Sequence, residues 1–209
     1  MLTVGLTGSI ATGKSFVTEY LHELGAEVID ADQASRTVVE KGTPGLAAVV
    51  REFGDGVLAS DGTLDRKKLG SIVFANEERR LRLNSLIHPL VIKMQDEWLA
   101  SIEERDPDAI AVVDAALMIE SGGYRRFDKL IVVYCDPAVQ LARLTARDNL
   151  SENEAKRRID AQMPQDEKRK FANYVVDTSN GFEDTKRQTR EIFASLREDL
   201  RNGKAGQQT

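Results

Sequence analysis

Residues 8–15 combine the types and spacing that hold a chain of phosphates. Gly8-Ser9-Ile10-Ala11-Thr12-Gly13-Lys14-Ser15 satisfies the pattern G-x-x-x-x-G-K-[ST]. In such a loop, successive backbone N–H groups and the N-terminus of the following helix converge on phosphate oxygens, where the helix dipole favours an anion. Lys14 is the candidate to place its ammonium between the β- and γ-phosphates of a nucleotide. The Ser15 hydroxyl is the candidate ligand for the Mg²⁺ that bridges them, and Phe16 closes the nucleotide-contacting stretch. Asp114, at the end of an apolar run, could reach the same magnesium shell in the manner of a Walker B aspartate.

The loop works only if a strand delivers it and a helix leaves it. Leu2 to Thr7 is short and β-rich and feeds Gly8, while Val17, Tyr20, Leu21 and Leu24 recur at helical spacing before Gly25 stands where a C-terminal cap belongs. A second strand, Ala26 to Ile29, ends at Asp30-Ala31-Asp32. Two runs too apolar to be half-exposed, Ala109 to Val113 and Leu130 to Tyr134, read as strands covered on both faces, and Tyr174 to Val176 adds a fifth. Alternation of strand and helix predicts an open parallel α/β sheet with ligands at the strands' carboxyl ends. Residues 33–107 interrupt it as a mainly helical insertion, broken at Gly42 to Gly45 and between Gly54 and Gly62. Within it, Pro89 is read as starting a helix that Arg105-Asp106-Pro107-Asp108 ends. From Arg143 to Arg169 charge dominates and makes poor core material, although Ser151 and Glu154 form a capping box. The expected organisation is core at 1–32, insertion at 33–107, core at 108–138, a lid at 139–170, core at 171–201, and a disordered polar tail at 202–209.

Bulk properties restrict the partners. With 29 Lys plus Arg against 34 Asp plus Glu, the net charge of −5 offers no global attraction for nucleic acid or acidic membranes, so an anion site must be built locally. The single cysteine, Cys135, has no partner for an internal disulfide, which suits a reducing cytoplasm. No apolar stretch approaches the roughly 20 residues that span a bilayer, and Met1 leads directly into a strand with no basic leader. A soluble cytoplasmic protein, monomeric or weakly self-associating, is expected.

A phosphate loop alone does not name a reaction. The chain has no Asn-Lys-x-Asp guanine-reading motif and no Leu-Ser-Gly-Gly-Gln signature, which argues against a signalling switch and a transport ATPase. A small-molecule kinase remains, with a nucleotide-dependent binding protein as the non-enzymatic alternative. Such a kinase must keep water from the γ-phosphoryl group, for which a closing lid is the usual means. Arg143 and Arg147, one helical turn apart, could bring cations to the transferred group, and the same arginines would equally suit a solvated helix face. Asp30 and Asp32 flank the end of the second strand. Asp32, further along, is the candidate to accept the proton of an attacking hydroxyl, and its competing role is the N-cap of a helix beginning near Gln33, with Arg36 as local partner.

Taken together, Gly5 to Gly8 leading into the phosphate loop, Val28 to Asp32 with Arg36, Phe53-Gly54, Gly62 to Arg66 with Leu69, Phe74, His88-Pro89, Leu117 to Glu120, and Asp148 resemble the bacterial dephospho-CoA kinases, over nearly the whole chain to about residue 196. The resemblance implies a P-loop NTPase three-layer α/β sandwich with a five-stranded parallel sheet, a helical insertion that receives dephospho-CoA, a helical lid, and ATP with Mg²⁺. It implies transfer of the γ-phosphoryl group to the ribose 3′-hydroxyl, the last step of coenzyme A synthesis, with Asp32 as general base and Arg36, His88, Leu117 and Glu120 near the acceptor. A related kinase of a nucleoside or nucleoside monophosphate is the enzymatic alternative. Ser9 and Ala11 stand where many members carry glycines, Ala116 where they carry proline, and Thr178 where asparagine is common.

Overall fold

The computed structural model of the chain describes residues 1–205, which form two compact units, residues 1–29 with 101–205 and residues 30–100. In chain order the elements are β1 (Leu2–Gly8), α1 (Lys14–Glu23), β2 (Glu27–Asp30), α2 (Ala31–Thr37), α3 (Pro44–Phe53), α4 (Arg66–Phe74), α5 (Glu77–Arg105), β3 (Ile110–Asp114), β4 (Lys129–Tyr134), α6 (Pro137–Asp148), α7 (Glu152–Asp160), α8 (Gln165–Arg169), β5 (Tyr174–Asp177) and α9 (Phe182–Ala205).

The first unit is an α/β layer structure around a five-stranded parallel sheet of order β2-β3-β1-β4-β5. Central β1 pairs with β3 and β4, placing Leu6 opposite Asp114 and Gly8 opposite Val133. Every residue of β3 is buried, whereas the edge strands β2 and β5 are mostly half-exposed. That difference is why the central runs are continuously apolar and the edges are not. Val17 and Leu21 of α1 and Ile192, Phe193, Leu196 and Leu200 of α9 close one core with Leu2, Val4, Leu6, Ile131 and Val133. At roughly 1.5–3 kcal/mol per fully buried aliphatic side chain, this stripe holds α9 to the sheet. The chain moves from β1 outward to β2 and β3 on one side and then crosses to β4 on the other. The loop after β1 therefore sits where the strand order reverses, the place where open α/β sheets bind ligands.

The second unit packs Ala34, Val38, Val39, Val49, Val57, Leu69, Val73 and Val91 into its own core. Asp30, rather than Asp32, caps α2: its Oδ1 accepts from the backbone N–H groups of Asp32 and Gln33 at 2.7 and 3.1 Å. Asp32 lies in the helix's first turn and is exposed.

Pro89 does not begin a helix. It lies inside α5, which runs unbroken over 29 residues. Losing one helical hydrogen bond to proline costs about 3 kcal/mol, but Leu83, Ile87, Leu90, Val91 and Met94 on both sides of it belong to one core, and their joint burial outweighs that cost. Glu77 and Glu78 in the first turn mark the true start. The charged stretch 143–169 is also less peripheral than its composition implies, since Leu144, Ala155 and Lys168 are wholly buried. The tail expected to be disordered from residue 202 is helical through Ala205, and residues 206–209 lie outside the described residues.

Candidate functional site

Between β1 and α1 the phosphate loop curls through two left-handed residues, Ala11 at φ 59° and Gly13 at φ 85°. Alternation of this kind turns successive N–H groups toward one concavity. Gly8 admits no side chain, because a Cβ would lie 2.8 Å from the Val133 carbonyl of neighbouring β4. Thr12 is fully buried beneath the loop: its hydroxyl donates to the Ser9 carbonyl at 2.9 Å, and its own carbonyl accepts from Thr178 Oγ1 at 2.7 Å. The Ser9 hydroxyl, also buried, has no hydrogen-bond partner among the described residues.

Residues 8–15 line a cavity of about 610 Å³ together with Ala116, Arg143, Ala146, Arg147 and Gln162. The structure thus brings Arg143 and Arg147 of α6 to the phosphate loop. Arg143 is not a loose lid cation. Its two terminal nitrogens donate to Thr178 Oγ1 and to the Thr178 carbonyl, each at 2.8 Å, which fixes the guanidinium beside Gly13. Arg147 forks onto the Asp148 carboxylate, at 2.7 Å from Nε and 3.1 Å from a terminal nitrogen. Arg158 of α7 reaches the same carboxylate at 3.0 Å. The Arg147 hydrogen bond, with Arg158 adding to it, holds the Asp148 carboxyl below its ordinary range and raises Arg147 in turn. Phe16 turns away from the cavity wall to stack on Tyr20 and to meet Phe182 at a ring separation of 4.8 Å.

Lys14 and Asp114 meet directly, the ammonium bonded to Asp114 Oδ1. The parallel register of β1 and β3 makes this possible, since it ends both strands at one edge of the sheet. Asp114 is 4% exposed, and a carboxylate so buried requires compensation. Lys14 supplies it at one oxygen, and the hydroxyl of Thr18, one turn along α1, donates to the other at 2.7 Å. Sequence reading missed Thr18, although its position four residues after Lys14 places it on the same helical face.

Leu117 and Glu120 lie on the turn after β3, where Leu117 is exposed. Glu120 is partnered within this unit: its Oε1 is 2.9 Å from the ammonium of Lys168. Lys168 has no exposed surface, and it also donates to the Ala116 carbonyl at 3.0 Å, which accepts from Thr7 Oγ1 as well. Neither this lysine nor the glutamines around the loop was legible in advance, because each sits in a polar stretch whose pattern gives no sign of burial. Asp32 and Arg36 on α2 and His88 on the exposed side of α5 belong to the second unit. Burial pushes the Cys135 thiol up, so this cysteine is not poised as a nucleophile.

The chemistry this arrangement supports is polyanion binding: a concave set of backbone donors, one ammonium and two guanidinium groups around a cavity that Ser15 also lines, with the Asp114 carboxylate bonded to Lys14 and Thr18 behind the loop. No described helix is long and apolar enough to cross a membrane, and no cluster of three or more His, Cys, Asp or Glu among the described residues forms a metal cage.

Known proteins point the same way. The family model for dephospho-CoA kinase matches residues 2–184. A dephospho-CoA kinase of Geobacter metallireducens is 46% identical, covering 90% of this chain and 93% of the relative. One from Shouchella clausii is 44% identical over 92% of this chain and 98% of its own length. The solved dephospho-CoA kinase from Campylobacter jejuni superposes with a TM-score of 0.72 at 29% identity, covering 94% of this chain and 98% of that one. With a matched region that contains the phosphate loop, both arginines that line its cavity and the buried aspartate behind it, the chain belongs to the dephospho-CoA kinase family.

Proposed function

We propose that the chain transfers the γ-phosphoryl group of ATP to the ribose 3′-hydroxyl of dephospho-coenzyme A. The observation that carries this reading is the curled phosphate loop with Lys14 seated on Asp114 in a member of this family. The loop's N–H groups and Lys14 bind the triphosphate. Arg143 and Arg147 add positive charge on the α6 side of the cavity, where charge on the transferred group is stabilised without reorganisation. Magnesium fits the donor set, because it takes one or two protein oxygens and keeps its remaining positions for phosphate and water. Ser15 and Asp114 would hold it, and when bound it neutralises charge between the β- and γ-phosphates.

Asp32 is the proposed general base, taking the acceptor's proton as the hydroxyl attacks. Its place just beyond the carboxyl end of β2 supports this. Residues 33–107 are proposed to receive the acceptor, with Arg36, His88, Leu117 and Glu120 as its contacts, and residues 139–170 to serve as the lid. The cytoplasm is the proposed location, in keeping with a single cysteine that has no partner for an internal disulfide.

The test is direct. Purified protein is given MgATP with dephospho-CoA, and in parallel with a panel of nucleosides and nucleoside monophosphates. ADP release with a one-phosphate mass gain on dephospho-CoA is expected, and turnover confined to the panel would reject the assignment. Asp32→Asn should lower kcat far more than it weakens ATP binding; an unchanged kcat removes Asp32 from the mechanism.

A further inference from the structure

Ala11 is a left-handed alanine, at φ 59°, in the middle of the loop that must hold the phosphates. For a residue with a Cβ this conformation costs roughly 1–2 kcal/mol, and it persists only where the surroundings over-determine it. The torsions of Ala11 are set by the two peptide planes that flank it. The downstream plane is pinned because Thr12 N–H donates to the Ser9 carbonyl at 3.3 Å. The upstream plane is pinned from a distance, by Nε2 of Gln140, which donates to the Ile10 carbonyl at 2.8 Å across 130 residues of sequence. The N–H of the same Ile10 donates to Oε1 of Gln162 at 2.8 Å.

These amides are oriented, not incidental. Gln140 is 2% exposed, its Oε1 accepts from Gln165 Nε2 at 2.7 Å, and Gln165 Oε1 accepts from Cys135 N–H at 3.0 Å. A backbone N–H at one end of the series can only donate and a carbonyl at the other can only accept, so each glutamine amide has one workable orientation. The series ends with a donor aimed at the Ile10 carbonyl.

We propose that Gln140 and Gln162 are positioning residues of the nucleotide site: by gripping Ile10 at its carbonyl and its N–H, they hold Ala11 in the left-handed curl that keeps the phosphate loop open to its ligand. They supply from α6 and from the α7–α8 connection what a glycine at position 11 would supply at no steric cost. The inference rests on the nucleotide-binding reading of the cavity, and it names residues that act through the loop, Gln140 from outside the cavity lining and Gln162 from its wall.

The test is a mutant cycle on the full chain between positions 140 and 11, read by calorimetric titration with MgADP and by thermal melting. Gln140→Met keeps the side-chain volume and removes the donor, and it should weaken ADP binding about tenfold, the scale of the alanine strain it releases. Adding Ala11→Gly should recover affinity to within about threefold of Ala11→Gly alone. Should Gln140→Met fail to melt cooperatively, half-buried Gln162→Ala carries the cycle through the Ile10 N–H, one peptide further from Ala11, with a smaller loss of affinity expected and the same recovery by Ala11→Gly, which loss of a direct contact from the cavity wall would not show. Affinity unchanged to within about twofold, or a double variant as weak as the glutamine variant alone, overturns the clasp while the nucleotide reading stands. A wild-type chain that binds no ADP sinks the nucleotide reading and takes the clasp with it.

Discussion

Replacing Lys168 with methionine tests the most demanding electrostatic arrangement in the first unit. The ammonium has no exposed surface and makes two bonds, to the Ala116 carbonyl at 3.0 Å and to Glu120 at 2.9 Å. Methionine preserves the apolar stem and removes both. A charge-assisted bond contributes about 1.5–3 kcal/mol, and breaking a buried pair by deleting one partner costs about 3–5 kcal/mol. Two features of the site reduce that figure. The Ala116 carbonyl retains Thr7 Oγ1 at 3.1 Å, and the Glu120 side chain is 24% exposed, so water can reach part of the stranded carboxylate. Removing the ammonium also ends its own desolvation cost. The net expectation for Lys168→Met is a loss of about 2 kcal/mol, which for a chain of this length lowers Tm by roughly 4–8 °C. Adding Glu120→Gln should recover part of that loss, because the uncompensated carboxylate is then gone. Thermal and urea unfolding followed by circular dichroism would measure all of these variants. A Lys168→Met protein as stable as wild type, or a double variant worse than the sum of its parts, would refute the idea that this pair ties α8 to the turn after β3.

Lys14→Ala should lower phosphoryl transfer roughly 10²-fold or more, as expected for removal of a cation preorganised at the transferred charge, and should also lower Tm, because it strands the buried Asp114 carboxylate with Thr18 alone; turnover within about tenfold of wild type would contradict its role. Gly45→Ala should destabilise the second unit by about 3 kcal/mol or more, since its Cβ would fall 2.0 Å from the Val38 carbonyl and backbone cannot yield; a urea midpoint equal to wild type would show that α3 can shift. Tyr174 donates to Asp199 at 2.6 Å, and burial, followed by that bond, pushes its phenol up to about 12. A raised acid is favoured in its protonated form by folding, so its contribution is whole below the unfolded value of about 10 and disappears as pH climbs through the folded one. Tyr174→Phe should therefore cost about 1–2 kcal/mol near neutral pH, with the difference from wild type shrinking above about pH 10. A deficit independent of pH in urea titrations would assign the effect to packing.

What was legible in the chain itself was whatever depends on neighbours a few residues away. The phosphate loop is one such feature, since its glycines, lysine and serine act through backbone curvature within residues 8–15. The capping box is another: Ser151 N–H donates to Glu154 at 3.1 Å, and Glu154 N–H returns to Ser151 Oγ at 3.4 Å. Strands β3 and β4 follow from runs of apolar residues that only two-sided burial explains. Local reading failed where a short-range rule met a longer-range one. Proline signals a helix start, but inside α5 a shared core on either side of Pro89 overrides it.

Tertiary structure alone decided which polar side chains were buried and to what they were bonded. Lys14 meets Asp114 across 100 residues, Lys168 meets Ala116 across 52, and Thr178 meets Thr12 across 166. Nothing in the residues around Gln140 or Lys168 distinguishes them from a solvated helix face. Hydrophobic burial is patterned along a strand or helix and can be read there, whereas a buried hydrogen bond depends on where its partner lies, and the sheet's strand order sets that position only after the chain has folded.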